Sequence, residues 1–201
     1  MASMSQLTMA MITLYSGDPK RIQHFMKVYA FAKMIAEEEQ IGAKQREVIE
    51  AAALVHDIGI HAAEKKYRSA AGEYQEQEGP PIARAMLMAL EFSPALTNRV
   101  CELVAHHHSY QNIDAVDLQI LVEADFLVNA YEEGLPKRNI KKFRDKIFRT
   151  ETGIHYLNEL FALDCVQTNY DKTNALQHYL LQGVSFCWSS RSVSARSERR
   201  I

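Results

Sequence analysis

Apolar positions recur at helical spacing along most of this chain. From Ile22, the residues Phe25, Val28, Tyr29, Ala32 and Ile35 fall on one face of a helix. Ser16-Gly17-Asp18-Pro19 stands just before them. Its carboxylate can cap free backbone N–H groups, and a proline in the first helical position leaves no N–H unbonded. A second helix is predicted from about Lys44 to Ile58, with Val48, Ala51, Ala52 and Val55 inward. A third starts near Pro80 and carries Ile82, Met86 and Leu90. Ser93-Pro94 repeats the cap signature before a fourth helix through Leu96, Val100 and Val104. A fifth covers about Leu118 to Tyr131 and stops at Gly134-Leu135-Pro136, and a last helix includes Tyr156, Leu157, Leu160 and Phe161. No stretch alternates at period two, so the pattern predicts an all-α fold without a sheet.

Two segments break the pattern. Residues 61–79 are polar and aperiodic and hold Lys65, Lys66, Tyr67, Arg68 and Tyr74. A loop of that length in a compact domain is more often functional than incidental. From about Ser189 the chain reads SSRSVSARSERRI, with no apolar stripe to bury, so residues 189–201 are predicted to be a disordered tail. Residues 163–188 retain Leu176, Tyr179, Leu180 and Leu181 and can form one extra amphipathic helix.

The 201 residues suffice for one domain with a substantial core. A net charge of −2 argues against a nucleic-acid partner, because non-specific binding there needs concentrated positive charge. No apolar run reaches the roughly 18–20 residues of a membrane span, so no membrane partner is expected. The opening MASMSQLTMAM lacks the basic and apolar regions of a signal peptide. Cys101, Cys165 and Cys187 are scattered without CxxC spacing. That usage suits a reducing, cytoplasmic setting and gives neither a disulfide framework nor a zinc knuckle.

The chemical signal is a set of polar residues on core-facing stripes. His24 lies four residues before Val28 and eleven before Ile35, on or beside the buried face. Asp125 lies four after Leu121 and three before Val128, so it also points inward. A carboxylate buried without a partner costs several kcal/mol, so it must be paired, protonated or bound to a metal. His56 and Asp57 end the apolar run AAALVHDIGI, and Gly59 lets the chain turn away there. Taken singly, each residue has an ordinary explanation, as a core histidine, a helix cap or an ion pair. Together they offer two imidazoles and two carboxylates from three helices, a first shell for a borderline or hard divalent cation. His107 and His108 follow Val104 on its inward side and are candidates for substrate contact or support, whereas His106 points away.

A histidine on one helix, a His-Asp doublet some thirty residues later and an aspartate some seventy further on resembles the HD superfamily of metal-dependent phosphohydrolases. The strings GDPKRIQHFMKVYAFAK, AAALVHDIGI, EGPPIARAML and HHHSYQNIDAVDLQILVEADFLVNA are similar to a bacterial subfamily of HD-domain hydrolases. The resemblance covers about residues 12–162. It implies a compact all-α HD-domain bundle and one divalent ion (Mn, Fe, Co, Ni, Mg or Zn) held by His24, His56, Asp57 and Asp125. The substrate it implies is a small phosphorylated metabolite, with nucleotides among the candidates. Two-metal members carry a further histidine near the start of the third helix, where this chain reads QEQEGPPIAR, so one ion is expected here. Many members also have a lysine three residues after the doublet, where this chain has Ile60.

On this reading Asp57 is the catalytic residue, combining metal ligation with orientation or deprotonation of water. A bound divalent ion lowers the pKa of its water from about 15.7 to as low as about 7. Lys65, Lys66 and Arg68, with His107 and His108, are the candidate substrate contacts. Two other functions compete: a non-catalytic sensor that binds metal or nucleotide on the same fold, and an oxygen-using enzyme that would need two irons.

Overall fold

The computed structural model describes residues 2–111, 113 and 115–163. The predicted extra helix in 163–188 and the tail 189–201 lie outside the described residues, Leu163 excepted. Among the described residues there are nine helices and no strand: α1 Met4–Leu14, α2 Pro19–Glu38, α3 Ala43–Val55, α4 Ile60–Tyr67, α5 Gly72–Ala89, α6 Pro94–Val104, α7 Val116–Glu132, α8 Lys137–Ile147 and α9 Glu151–Phe161.

The caps read from the sequence are in place. Asp18 accepts a hydrogen bond from the Arg21 backbone N–H at the start of α2, and Ser93 accepts one from Leu96 at the start of α6. Gly134 ends α7 with φ +62°, a conformation that glycine adopts without a Cβ penalty.

α3 and α7 are the interior helices. Residues 51–55 of α3 are buried all round, and α3 packs on α1, α2, α6 and α7. Ala51, Ala52 and Ala53 keep the α3 backbone within reach of its neighbours. α7 lies against α2, α3 and α9, and every residue from Asp117 to Val128 is buried. Because these two helices are central, the polar groups they carry face other protein rather than water.

One such group, Glu123, joins α7 to the α8–α9 junction. Its carboxylate accepts from the Gln119 amide, the backbone N–H groups of Arg149 and Thr150, and the Thr150 hydroxyl. Burial nonetheless outweighs these donors and holds the Glu123 carboxyl above its ordinary value.

The structure corrects several expectations. The segment 61–79 is not a loop: it holds all but the first residue of α4, a short connection and the first half of α5. α4 buries only Ile60 and Ala63, too few positions to register as a periodic stripe. α5 does not start at Pro80 but runs through Pro80 and Pro81. Its fully buried stripe is Gln75, Gly79, Ala83 and Leu87, with Ile82, Met86 and Leu90 only half-buried beside it. α1 and α8 were not foreseen. α8 is so rich in Lys and Arg that its buried Ile140 and Ile147 are masked. No helix among the described residues is long and apolar enough to cross a membrane.

Gly59 also differs from expectation. Its φ of −77° and ψ of −13° suit any residue, so backbone freedom is not why glycine stands there. A Cβ at Gly59 would come within 2.7 Å of the Gln75 carbonyl and of the Gly79 nitrogen. A Cβ at Gly79 would in turn meet Val104 of α6 at 2.7 Å. These two glycines let the turn after α3 lie directly on α5, and α5 on α6. That close approach brings the residues following α6 to the end of α3.

Candidate metal centre

His56 is the C-cap of α3 and Asp57 follows it. His24 comes from the second turn of α2, Asp125 from the middle of α7, and His107 and His108 from the turn after α6. His24 Nε2 lies 3.2 Å from His56 Nε2, 3.5 Å from Asp57 Oδ2 and 3.3 Å from Asp125 Oδ1. His56 Nε2 lies 3.5 Å from each of the same two carboxylate atoms. Two atoms sharing one ion at about 2.0–2.2 Å stand about 2.8–3.6 Å apart at octahedral to tetrahedral angles. All five separations fall in that range.

The tautomers make the same point. His56 Nδ1 donates to the Ala53 carbonyl, His107 Nδ1 to the Val104 carbonyl and His24 Nδ1 to the Glu132 carboxylate. With the proton on Nδ1, each Nε2 presents a lone pair. In that neutral form each of the two imidazole lone pairs of His24 and His56 faces the same two carboxylate oxygens, and Asp125 Oδ1 is buried without a hydrogen bond. A metal ion satisfies such a group; without one, a proton held on His24 Nε2 does. The same negative field acts on protonation. At His24, burial opposes the charged form, but the bond to Asp125 and the charges of Asp57 and Asp125 prevail and raise its pKa to about 9. At Asp57, burial is outweighed by His56 and His107, and at Asp125 by His24 and His56, so both carboxyls stay well below the ordinary range.

Asp57 faces a second set of groups. Its Oδ1 lies 3.4 Å from His107 Nε2, while Oδ2 faces His24 and His56. Asp57, His107 and His108 form a further cluster able to hold an ion. His108 Nε2 is buried without a partner, and burial, then the neighbouring His107, pushes its pKa down to about 4. It is therefore a neutral, available donor atom. Gly72 makes room for it, since a Cβ there would lie 2.7 Å from the imidazole ring. His106 is exposed, as its spacing indicated.

A cavity of about 430 Å³ opens beside His24 and Asp57. Its walls include Tyr15, Lys20, Arg21, Asn129 and Glu132. The Tyr15 hydroxyl donates to the Asp57 carbonyl at 2.9 Å and so fixes the backbone of the doublet. Arg21 is bound to Asp18 and Glu64, whereas Lys20 is exposed with no partner among the described residues. Lys65, Lys66 and Arg68 do not line this cavity: Lys66 pairs with Glu78 at 2.7 Å, and Arg68 caps the end of α4. Sequence reasoning passed over Lys20, Arg21 and Glu132. The signal was present, because Lys20 and Arg21 lie one turn before His24, and Glu132 lies two turns after Asp125.

A helical bundle that gathers histidines and aspartates from four segments around one cation-demanding point defines a class of metal-binding domains. Residues 21–142, which include all the clustered side chains, match the HD domain family, and the chain belongs to that family. A crystal structure of a predicted HD superfamily hydrolase from an uncultured Thermotogales bacterium shares the fold, with a TM-score of 0.57 at 19% identity. That likeness covers 88% of this chain and 91% of the other. No curated protein matches the chain.

Proposed function

We propose that this protein is a divalent-metal-dependent phosphohydrolase that cleaves a phosphate ester or anhydride of a small metabolite. His24, His56, Asp57 and Asp125 would be the ligands. The observation that carries this reading is that the Nε2 atoms of His24 and His56 each face the same two carboxylate oxygens, at the edge of a cavity that also holds cationic side chains. An ion bound there would acidify water and draw charge from a phosphoryl oxygen.

The remaining work falls to the chain. Asp57 would hold and orient the attacking water as a hydrogen-bond acceptor, since its carboxylate borders the cavity and is kept ionised. Lys20 and Arg21 attract the anionic group and offset charge developing on its oxygens. Asn129 offers an amide to the rest of the substrate. Met11, Phe25 and Ile60 give the cavity an apolar side, and its volume suits a small organic phosphate such as a nucleotide.

One observation favours a second ion. Asp57 turns one oxygen to each histidine set, and His108 Nε2 has no other partner. His107 and His108 would then be ligands rather than substrate contacts, and the missing third-helix histidine would not exclude a two-ion site.

The test is release of inorganic phosphate from a panel of phosphorylated metabolites by protein loaded in turn with Mn, Fe, Co, Ni, Mg and Zn. Turnover by the wild type and none by Asp57→Ala supports the reading. Metal binding without turnover on any member would leave a binding module. Two irons with oxygen consumption would point to oxidative chemistry.

A further inference from the structure

Glu132 is the C-terminal residue of α7 and lies 108 positions from His24 in the chain. Its Oε2 accepts from His24 Nδ1 at 3.0 Å, and its Oε1 accepts from the Lys27 ammonium. His56 and His107 orient themselves differently. Each donates its Nδ1–H to a neutral carbonyl three residues earlier in its own segment. Of these three imidazoles, His24 alone has its Nδ1 bonded to a charged side chain. A carboxylate there fixes the tautomer and rotation of the ring as a carbonyl does. It also adds negative charge through the hydrogen bond, which makes Nε2 a stronger donor to an ion.

We infer that Glu132, clamped by Lys27, is the positioning residue for His24 and sets its strength as a metal ligand. The geometry supports this in two ways. His24 sits on α2, one turn before Val28 on the face that packs on α7, so a longer side chain from the end of α7 can reach its outer nitrogen. Lys27, one turn after His24, holds the second oxygen and stops the carboxylate from swinging toward the ion. Glu132 is only 16% exposed at the side chain. Its ion pair with the Lys27 ammonium keeps a negative charge on the carboxylate behind His24.

This inference rests on the metal-binding reading above, and the two can fail separately. Metal-free protein is titrated with Zn²⁺ or Co²⁺ against a chromophoric chelator, using wild type, Glu132→Gln and Glu132→Ala. The dissociation constant should weaken ~10–100-fold in Glu132→Ala, the range for loss of a carboxylate behind a ligating histidine. Glu132→Gln, which keeps an acceptor but loses the charge, should fall between. A Glu132→Ala protein that binds as tightly as wild type overturns the inference, even if its metal-free melting temperature falls, because that is a purely structural role. If Glu132→Ala does not fold, Glu132→Gln decides alone. Binding weakened at least threefold, with His24 still protonated on Nδ1 by ¹⁵N NMR, supports the inference; unchanged binding overturns it. A wild type that takes up no ion overturns the metal reading, and this inference with it.

Discussion

The Nε2 atoms of His24 and His56 stand 3.2 Å apart, and each ring has its Nδ1 proton committed elsewhere. Two lone pairs at that distance, with two carboxylate oxygens beside them, repel unless a metal ion or a proton lies between, and a divalent ion offsets more of the carboxylate charge than a proton does. The metal-free protein should therefore gain stability from a divalent ion. At a hundredfold excess over the dissociation constant the gain is about 2.7 kcal/mol, or roughly 5–10 °C in melting temperature for a domain of this size. A thermal shift that persists undiminished in His56→Ala would argue against the assignment.

The shared carboxylate gives a stoichiometric prediction. Atomic spectroscopy on wild type should find up to two ions per chain. His107→Ala, which leaves the set of His24, His56, Asp57 and Asp125 intact, should keep one. Asp57→Ala should lose most of both, together with turnover. His106→Ala should match wild type, because His106 is exposed and its Nδ1 bonds only to the Glu102 carbonyl.

Lys20 rather than Lys65 or Lys66 should govern substrate affinity. Once an active substrate is known, Lys20→Ala is expected to raise KM or lower kcat at least tenfold, about 1.4 kcal/mol. Lys65→Ala and Lys66→Ala should stay within about twofold, since exposed charges of this kind contribute little. Steady-state kinetics in which the Lys66 variant suffers and the Lys20 variant does not would move the phosphate site to α4.

The contact between Gly59 and Gly79 should tolerate no side chain. Gly59→Ala places a Cβ within 2.7 Å of backbone on α5, and such overpacking costs about 1–3 kcal/mol. Because Asp57 is two residues away, the same change should weaken metal binding. Gly42→Ala is the comparison, since a Cβ there meets open space. Chemical denaturation that ranks the two variants equally would contradict this account.

Glu123 predicts a pH dependence of stability. Its folded pKa is raised above the ordinary 4.5, so its contribution is full below the unfolded value and is lost as pH rises through the folded one. A Glu123→Gln variant resembles the neutral form and does not titrate. Its melting temperature should gain on wild type as pH rises from below 4.5 toward neutrality. Glu123→Ala should instead lose about 2–3 kcal/mol at every pH, because it strands the buried backbone N–H of Thr150 and the half-buried one of Arg149. A difference between Gln and wild type that does not change with pH would mean that Glu123 titrates normally.

The sequence by itself determined the helical class, the capped starts of α2 and α6, the stop after α7, and the inward faces of His24 and Asp125. These follow from local rules. Helical spacing assigns a residue to a face, and Asp18, Ser93 and Gly134 act on backbone groups only a few residues away. It did not reveal α4 or α8, where few apolar positions stand among many charges, nor the path of α5 through Pro80 and Pro81. The tertiary structure alone decided how the faces meet. Nothing local places His107 opposite Asp57 fifty residues earlier, or Glu132 behind His24. Those pairings depend on the rotation and spacing of whole helices, set by the Gly59–Gly79 approach and by the packing of α2 and α3 on α7. Ligand identity is written along single helices, but how the ligands converge is fixed by distances between helices.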